Sequence, residues 1–242
     1  MPVRRRRVRR ARPKLGQHFL RDVRFAERAV EAAGLRPTDV VLEVGPGKGV
    51  LTRLLAPRVA KLVAVELDEE LADRLDVPKV EIIRGDAVQV EIPHFDACVS
   101  NLPSQISSPF LFRLLERDFR VAVLMVQKEF ADRLVAKVGT EDYGRLSVNA
   151  QRRAQVEIVA RVPPGAFDPP PRVESAIVRI VPRPPAFDVP PNFDAVVERA
   201  FAQRRKKLSN SLGAKDIPFA DRRPEEISPE EFALVARSLR AQ

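Results

Sequence analysis

Apolar positions along the chain fall into two patterns that alternate. Val23, Ala26, Ala29, Val30 and Ala33 recur at helical spacing, and Asp39 to Val44 (DVVLEV) is then a continuous apolar run that ends in glycines. Similar runs follow at Lys61–Glu66, Val80–Arg84, Asp96–Ser100, Arg120–Val126, Gln155–Ala160 and Ser175–Val181, giving seven predicted strands. The first five are separated by lengths that admit helices or short crossovers, as parallel pairing requires. The last two are joined by a proline-rich loop, PPGAFDPPPRV, with no helical pattern, which predicts an antiparallel pair.

The composition shifts after Val181. Pro182 to Pro191 contains five prolines and reads as a stiff linker. Beyond it Phe193, Val196, Val197, Ala200 and Phe201 form one helical face. Ser228-Pro229-Glu230-Glu231 has the form of a capping box with proline at the first helical position, and Phe232, Val235 and Leu239 continue it as a buried stripe. The expected organisation is a basic arm over 1–12, an α/β domain over 13–182 and a small helical domain over 183–242.

Composition narrows the class. Of 242 residues, 45% are hydrophobic and 31% charged, which excludes a disordered or fibrous chain. No apolar stretch approaches the roughly 20 residues that span a bilayer, and the N-terminus has no apolar signal region, so the expected setting is cytoplasmic, without a membrane. One cysteine, Cys98, excludes an intrachain disulfide, and with only His18 and His94 beside it no Cys/His metal site is expected. Lys and Arg outnumber Asp and Glu by 42 to 33, a net +9, yet residues 1–14 alone carry eight basic side chains and no acid. A basic arm (Arg4, Arg5, Arg6, Arg7 among others) on a nearly neutral body suits a nucleic-acid tether, since phosphate contacts release counterions. A solvated tail is the plainer alternative.

Candidate chemistry gathers at the predicted strand ends. The first strand runs into Glu43-Val44-Gly45-Pro46-Gly47-Lys48-Gly49, followed by Val50 where a dinucleotide fingerprint would need glycine. The spacing Glu-x-Gly-x-Gly-x-Gly is that of S-adenosylmethionine enzymes. Glu66 closes the second strand 21 residues after Gly45, where a carboxylate accepts hydrogen bonds from ribose hydroxyls. Asp86 closes the third, placed to accept from an adenine amino group. The fourth strand ends in Ser100-Asn101-Leu102-Pro103-Ser104, similar to the Asn-Leu-Pro-Tyr element of enzymes that methylate exocyclic amines. An adenine N6 lone pair is delocalised into the ring. Acceptors at the Asn101 side chain and at a carbonyl near Leu102–Pro103 would hold its two hydrogens and free the lone pair, so positioning rather than a strong base does the work.

The ordered set PKLGQHFL (13–20), VLEVGPGKGVLT (41–52), VAVELD (63–68), GDA (85–87), NLPSQISSP (101–109), VQKEFADRL (126–134), YGRLSV (143–148), VPPGAFDPPPRVESAIVR (162–179) and RAFAQRRKKLSNSL (199–212) resembles the small-subunit ribosomal RNA adenine N6,N6-dimethyltransferases over nearly the whole chain. The resemblance implies a class I methyltransferase sheet, Rossmann-like and seven-stranded, with a C-terminal helical domain that grips RNA. It implies S-adenosylmethionine as cofactor, held by His18, Leu20, Gly45, Gly47, Glu66, Asp86 and Asn101. It places Asn101, Leu102, Pro103 and Ser104 at the target amine and makes Phe167 the aromatic that faces the base. The implied substrate is two adjacent adenines in a hairpin near the 3′ end of small-subunit rRNA, presented on a small-subunit precursor. Arg204, Arg205, Lys206 and Lys207 are the phosphate candidates of the helical domain, and the absence of a leftover apolar stripe points to a monomer.

One position departs from that family. Ser104 stands where an aromatic would stack on the flipped base. Two alternatives to full dimethylation therefore stay open: a monomethylating enzyme, or a ribosome-assembly factor with weakened catalysis. A DNA or small-molecule amine methyltransferase is a third.

Overall fold

The computed structural model describes residues 17–239. Arg4 to Arg7 and the rest of the basic arm lie outside the described residues. The chain opens with a two-residue strand, β1 (Phe19–Leu20), and helix α1 (Val23–Ala33). Asp22 caps α1 by accepting from the Arg24 amide, Gly34 ends it with φ of 52°, and Ala26, Ala29, Val30 and Ala33 form its buried face.

Strands and helices then alternate: β2 (Val40–Val44), α2 (Val50–Leu55), β3 (Lys61–Glu66), α3 (Glu69–Arg74), β4 (Val80–Arg84), β5 (Ala97–Asn101), α4 (Ser107–Leu114), β6 (Val121–Gln127), α5 (Lys128–Val135) and α6 (Arg145–Arg153). After them come β7 (Ala154–Val162), β8 (Phe167–Asp168) and β9 (Ser175–Pro182). One seven-stranded sheet has the order β4-β3-β2-β5-β6-β9-β7. β4 to β6 in that order are parallel, and β9 runs antiparallel to both of its neighbours, β6 and β7. All seven strands expected from the sequence are present, with the expected directions.

The sheet is covered on both faces. One core joins Leu42, Val63, Cys98 and Leu124 to Phe110, Leu111 and Leu114 of α4 and to Leu134 of α5. The other joins Val41, Leu62, Val99 and Val123 to α1 and α2 through Ala26, Val30, Leu51 and Leu55. The chain order reverses between β2 and β5, and a parallel sheet opens a crevice at the carboxyl ends of such a pair.

The C-terminal helices are α7 (Phe193–Ala202), α8 (Leu208–Leu212) and α9 (Pro229–Ser238). The Ser228 hydroxyl accepts from the Glu231 amide while the Glu231 carboxylate accepts from the Ser228 amide, a reciprocal cap at the start of α9. Phe193, Val197, Leu208, Ile227 and Phe232 form a third core. That core also takes in Ala136, Tyr143 and Val148, while Ala131, Leu134 and Ala150 face the sheet, so the α5–α6 segment packs on both the sheet and the C-terminal helices. The Tyr143 hydroxyl donates to the Ile227 carbonyl at 3.0 Å, and buried Arg152 of α6 pairs with Asp194 of α7. No helix among the described residues is long and apolar enough to cross a membrane.

Candidate active site

The glycine turn after β2 rests directly on its neighbours. Gly47 has φ of 56°, and a Cβ there would stand 2.9 Å from the Phe19 ring, so only glycine lets β1 lie across the turn. Lys48 places its ammonium 4.8 Å over the same ring and 3.7 Å from Asp168. β1 is itself held by β8, with Phe19 opposite Asp168 and Leu20 opposite Phe167. His18 Nδ1 donates to the Pro169 carbonyl at 2.8 Å. The short β1–β8 ladder had no sequence signal.

The acidic strand ends are fixed by main-chain donors. Glu66 is 5% exposed; its Oε2 accepts from the Gly47 amide and its Oε1 from the Asp68 amide, each at 3.0 Å. Each oxygen keeps a second lone pair. Leu67, next along, is 71% exposed and offers an apolar platform that no sequence pattern marks. Asp86 folds its own turn, Oδ1 accepting from the Val88 amide and Oδ2 from Gln89 Nε2, both at 2.9 Å. Arg113 of α4 clamps that turn by donating to the Ala87 and Val90 carbonyls.

Beside the turn, the end of β5 supplies the amine-binding groups. Asn101 Nδ2 donates to the His18 carbonyl at 3.4 Å, which leaves Oδ1 as the free acceptor of that amide. The Pro103 carbonyl already accepts from the Ile106 amide and the Ser107 hydroxyl, both at 3.1 Å. The Leu102 amide donates to the Met125 carbonyl at 3.0 Å, whereas the Leu102 carbonyl has no donor among the described residues. The two candidate carbonyls are thereby separated: Leu102 is available and Pro103 is spent. A Cβ at Gly45 would touch Pro103 at 3.4 Å, so the turn and the Asn-Leu-Pro segment are in contact. Ser104 is exposed.

Two expected positions have buried side chains. Phe167 is only 4% exposed, packed in the core with Leu20 and Ala166, and has little ring face to offer a base. Leu20 is 5% exposed and also turns its side chain into that core. In the helical unit the basic run divides. Arg204 donates to the Thr140 and Glu141 carbonyls, and Lys207 pairs with Asp221 at 2.8 Å, whereas Arg205 and Lys206 are exposed and make no ion pair among the described residues. A groove of about 690 Å³ between Gly34, Pro57 and Lys79 lies at the amino ends of the strands and holds none of these groups.

A family model described as ribosomal RNA adenine dimethylase matches residues 8–219. The chain belongs to that family. It is 45% identical to a probable ribosomal RNA small subunit methyltransferase A of Methanosarcina acetivorans, over 92% of this chain and 91% of the relative. A protein of the same description from Pyrococcus furiosus is 42% identical over 96% and 93%. Among solved structures, a dimethyladenosine transferase from Plasmodium falciparum superposes with a TM-score of 0.81 at 27% identity, covering 93% of this chain and 98% of that one. The 23S rRNA methyltransferase ErmE gives 0.71 at 30% identity, covering 92% and 99%.

An rRNA adenine dimethylase family member uses S-adenosylmethionine, and the crevice fits that group. The Gly47 amide anchors Glu66, whose carboxylate can still accept from hydroxyls, and Leu67 is an open apolar surface next to it. Beneath the turn Glu43 is 1% exposed, and its Oε2 has no hydrogen-bond partner among the described residues. Burial pushes the Glu43 carboxyl up to about 8, the Thr52 hydroxyl opposing and the Glu66 charge adding to the rise. Glu43 begins the glycine motif in the sequence, but only its burial shows that the fold favours its protonated form.

Proposed function

We propose that the protein transfers methyl groups from S-adenosylmethionine to N6 of two adjacent adenines in a hairpin near the 3′ end of small-subunit rRNA, acting as a monomer on a ribosomal precursor in the cytoplasm. The observation that carries this reading is the divided amide of Asn101, with Nδ2 engaged by the His18 carbonyl and Oδ1 left to accept. Oδ1 and the Leu102 carbonyl each take one hydrogen of the target amine. With both held, the lone pair leaves conjugation with the ring and the nitrogen becomes nucleophilic. The bound cofactor supplies the electrophilic methyl group. Glu66 orients the cofactor's ribose, Leu67 packs on its adenine, and Asp86 accepts from the adenine amino group; Gly45, Gly47, His18 and Leu20 contribute main-chain contacts.

Each transfer would leave the demethylated thioether of the cofactor and release one amine proton to solvent, so after the first the amine has a single hydrogen and one of the two acceptors loses its partner. Stacking then matters more for the second transfer, and Ser104 supplies none. That observation favours a second reading in which monomethyladenine is a major product. Arg205, Lys206 and the N-terminal arm hold RNA phosphates.

The test is to incubate the protein with S-adenosylmethionine and unmethylated small subunits and to identify the digested nucleosides by mass spectrometry. Dimethyladenosine is the expected product. Monomethyladenosine alone would support the second reading, and no methylation with tight subunit binding would make the protein an assembly factor.

A further inference from the structure

We propose that Ser100 is a positioning residue for methyl transfer: its hydroxyl replaces a main-chain bond between β2 and β5 and so sets the width of the crevice that seats Asn101 beside the glycine turn. This rests on the function proposed above. β2 pairs with β3 through Val44 opposite Val65, and β5 pairs with β6 through Asn101 opposite Met125. Between β2 and β5, however, main-chain pairing is confined to Val41 opposite Ala97 and Leu42 opposite Cys98. The strands part after that point, at the place where the chain order reverses.

Parting leaves buried main-chain groups without partners, which a fold rarely tolerates. The Gly45 amide turns toward β3 and donates to the Val65 carbonyl at 2.9 Å. The preceding Val44 amide turns the other way, toward β5, and donates to Ser100 Oγ at 2.8 Å. Had the ladder continued, Val44 would face Ser100 and a β5 carbonyl would take this bond. The side chain takes it instead, so the strands stay apart by its reach while no donor is orphaned. At the other end of β2 the Val40 amide likewise goes to a β5-side carboxylate, Asp96 Oδ2, at 2.8 Å.

Ser100 is 1% exposed, and its hydroxyl lies 3.5 Å from Cys98 Sγ. The site is therefore closed to water that could replace the bond. Asn101 follows directly, and its neighbour Pro103 touches Gly45. A change in strand separation at Ser100 passes straight to the distance between the amine acceptors and the turn.

The test compares wild type with Ser100→Ala and Ser100→Thr in three measurements: amide exchange of Val44 in the cofactor-free protein, S-adenosylmethionine affinity by calorimetry, and single-turnover methylation of small subunits. For Ser100→Ala we expect Val44 exchange to quicken at least tenfold and methyl transfer to fall at least tenfold, with cofactor Kd within threefold. Ser100→Thr, which keeps the hydroxyl, restores the rate to within threefold. Unchanged Val44 exchange overturns the proposal. So does a normal methylation rate, or a rate loss matched by an equal loss of cofactor affinity. Were wild type itself inactive on small subunits while Val44 exchange still quickened in the variant, the proposed function would fail and overturn the positioning role of Ser100 with it, leaving only the strand contact.

Discussion

The side-chain amide of Asn101 is oriented by the main-chain carbonyl of His18, 83 residues earlier in the chain and 3.4 Å away. A carbonyl can only accept, so it fixes which end of the amide remains for substrate. Asn101→Asp removes the donor and sets a carboxylate oxygen against that carbonyl. Methyl transfer should fall by about two to three orders of magnitude, the scale of losing a preorganised group at the reacting centre. Single-turnover rates at saturating cofactor check this; a loss of less than threefold would mean that Asn101 does not hold the amine.

Ser104 gives the opposite expectation. It is exposed at the mouth of the crevice, and Phe167 is too deeply buried to replace a stacking ring. Base stacking on an aromatic is worth about 1–3 kcal/mol, or roughly one to two decades in rate. Ser104→Tyr should therefore raise turnover or the ratio of dimethyl- to monomethyladenosine. No change in either, by nucleoside mass spectrometry, would show that the position does not meet the base.

Much of this was legible in the sequence, for definite reasons. Strands such as Leu62–Val65 and Val121–Val126 are buried on both faces, so they read as continuous apolar runs. Glu66 and Asp86 sit where those runs stop. What stayed hidden depends on contacts between distant segments. β1 and β8 have two residues each and no periodicity to detect. Tyr143 lies before β7 in the chain, yet its ring is buried in the C-terminal core. Arg204 to Lys207 read as one basic run, but the fold spends Arg204 and Lys207 on internal partners.

Tyr143 carries a stability prediction. Its side chain is fully buried and its hydroxyl donates to the Ile227 carbonyl, tying the α5–α6 segment to the loop before α9. Tyr143→Phe keeps the ring and leaves that carbonyl without its donor, at a cost of about 1–3 kcal/mol. Thermal unfolding should shift down, while S-adenosylmethionine affinity at 25 °C stays within twofold. An unchanged unfolding temperature would show that the contact adds nothing.

Glu43 makes stability depend on pH. Its ordinary value of 4.5 is raised to about 8 by burial, so the folded state favours the protonated acid. The stabilisation is fully present below about 4.5 and is lost progressively as pH rises through about 8, at up to about 1.4 kcal/mol per pH unit. Glu43→Gln is neutral at every pH and lacks this component. In the cofactor-free protein, the unfolding temperature of the variant minus that of wild type should grow more positive from pH 5 to pH 8 and level off above. A flat difference would mean that Glu43 is ionised in the fold.

The basic run at the start of α8 separates RNA contact from fold support. Arg205 and Lys206 are exposed and outside the ion pairs of the described residues, so replacing both with alanine should leave unfolding unchanged. If each meets one phosphate, the slope of log affinity against log salt for an rRNA hairpin should flatten by about 0.7–0.9 per contact, or about 1.4–1.8 for the pair. Lys207→Ala breaks the pair with Asp221, which is largely exposed, and should change the slope little. Deleting residues 2–12 removes a denser cluster of charge and should flatten the slope by more than the double alanine variant. Anisotropy titrations at several salt concentrations rank the three. Equal slopes in wild type and the Arg205→Ala, Lys206→Ala protein would take these two residues out of the RNA path and leave the arm as the main electrostatic contact.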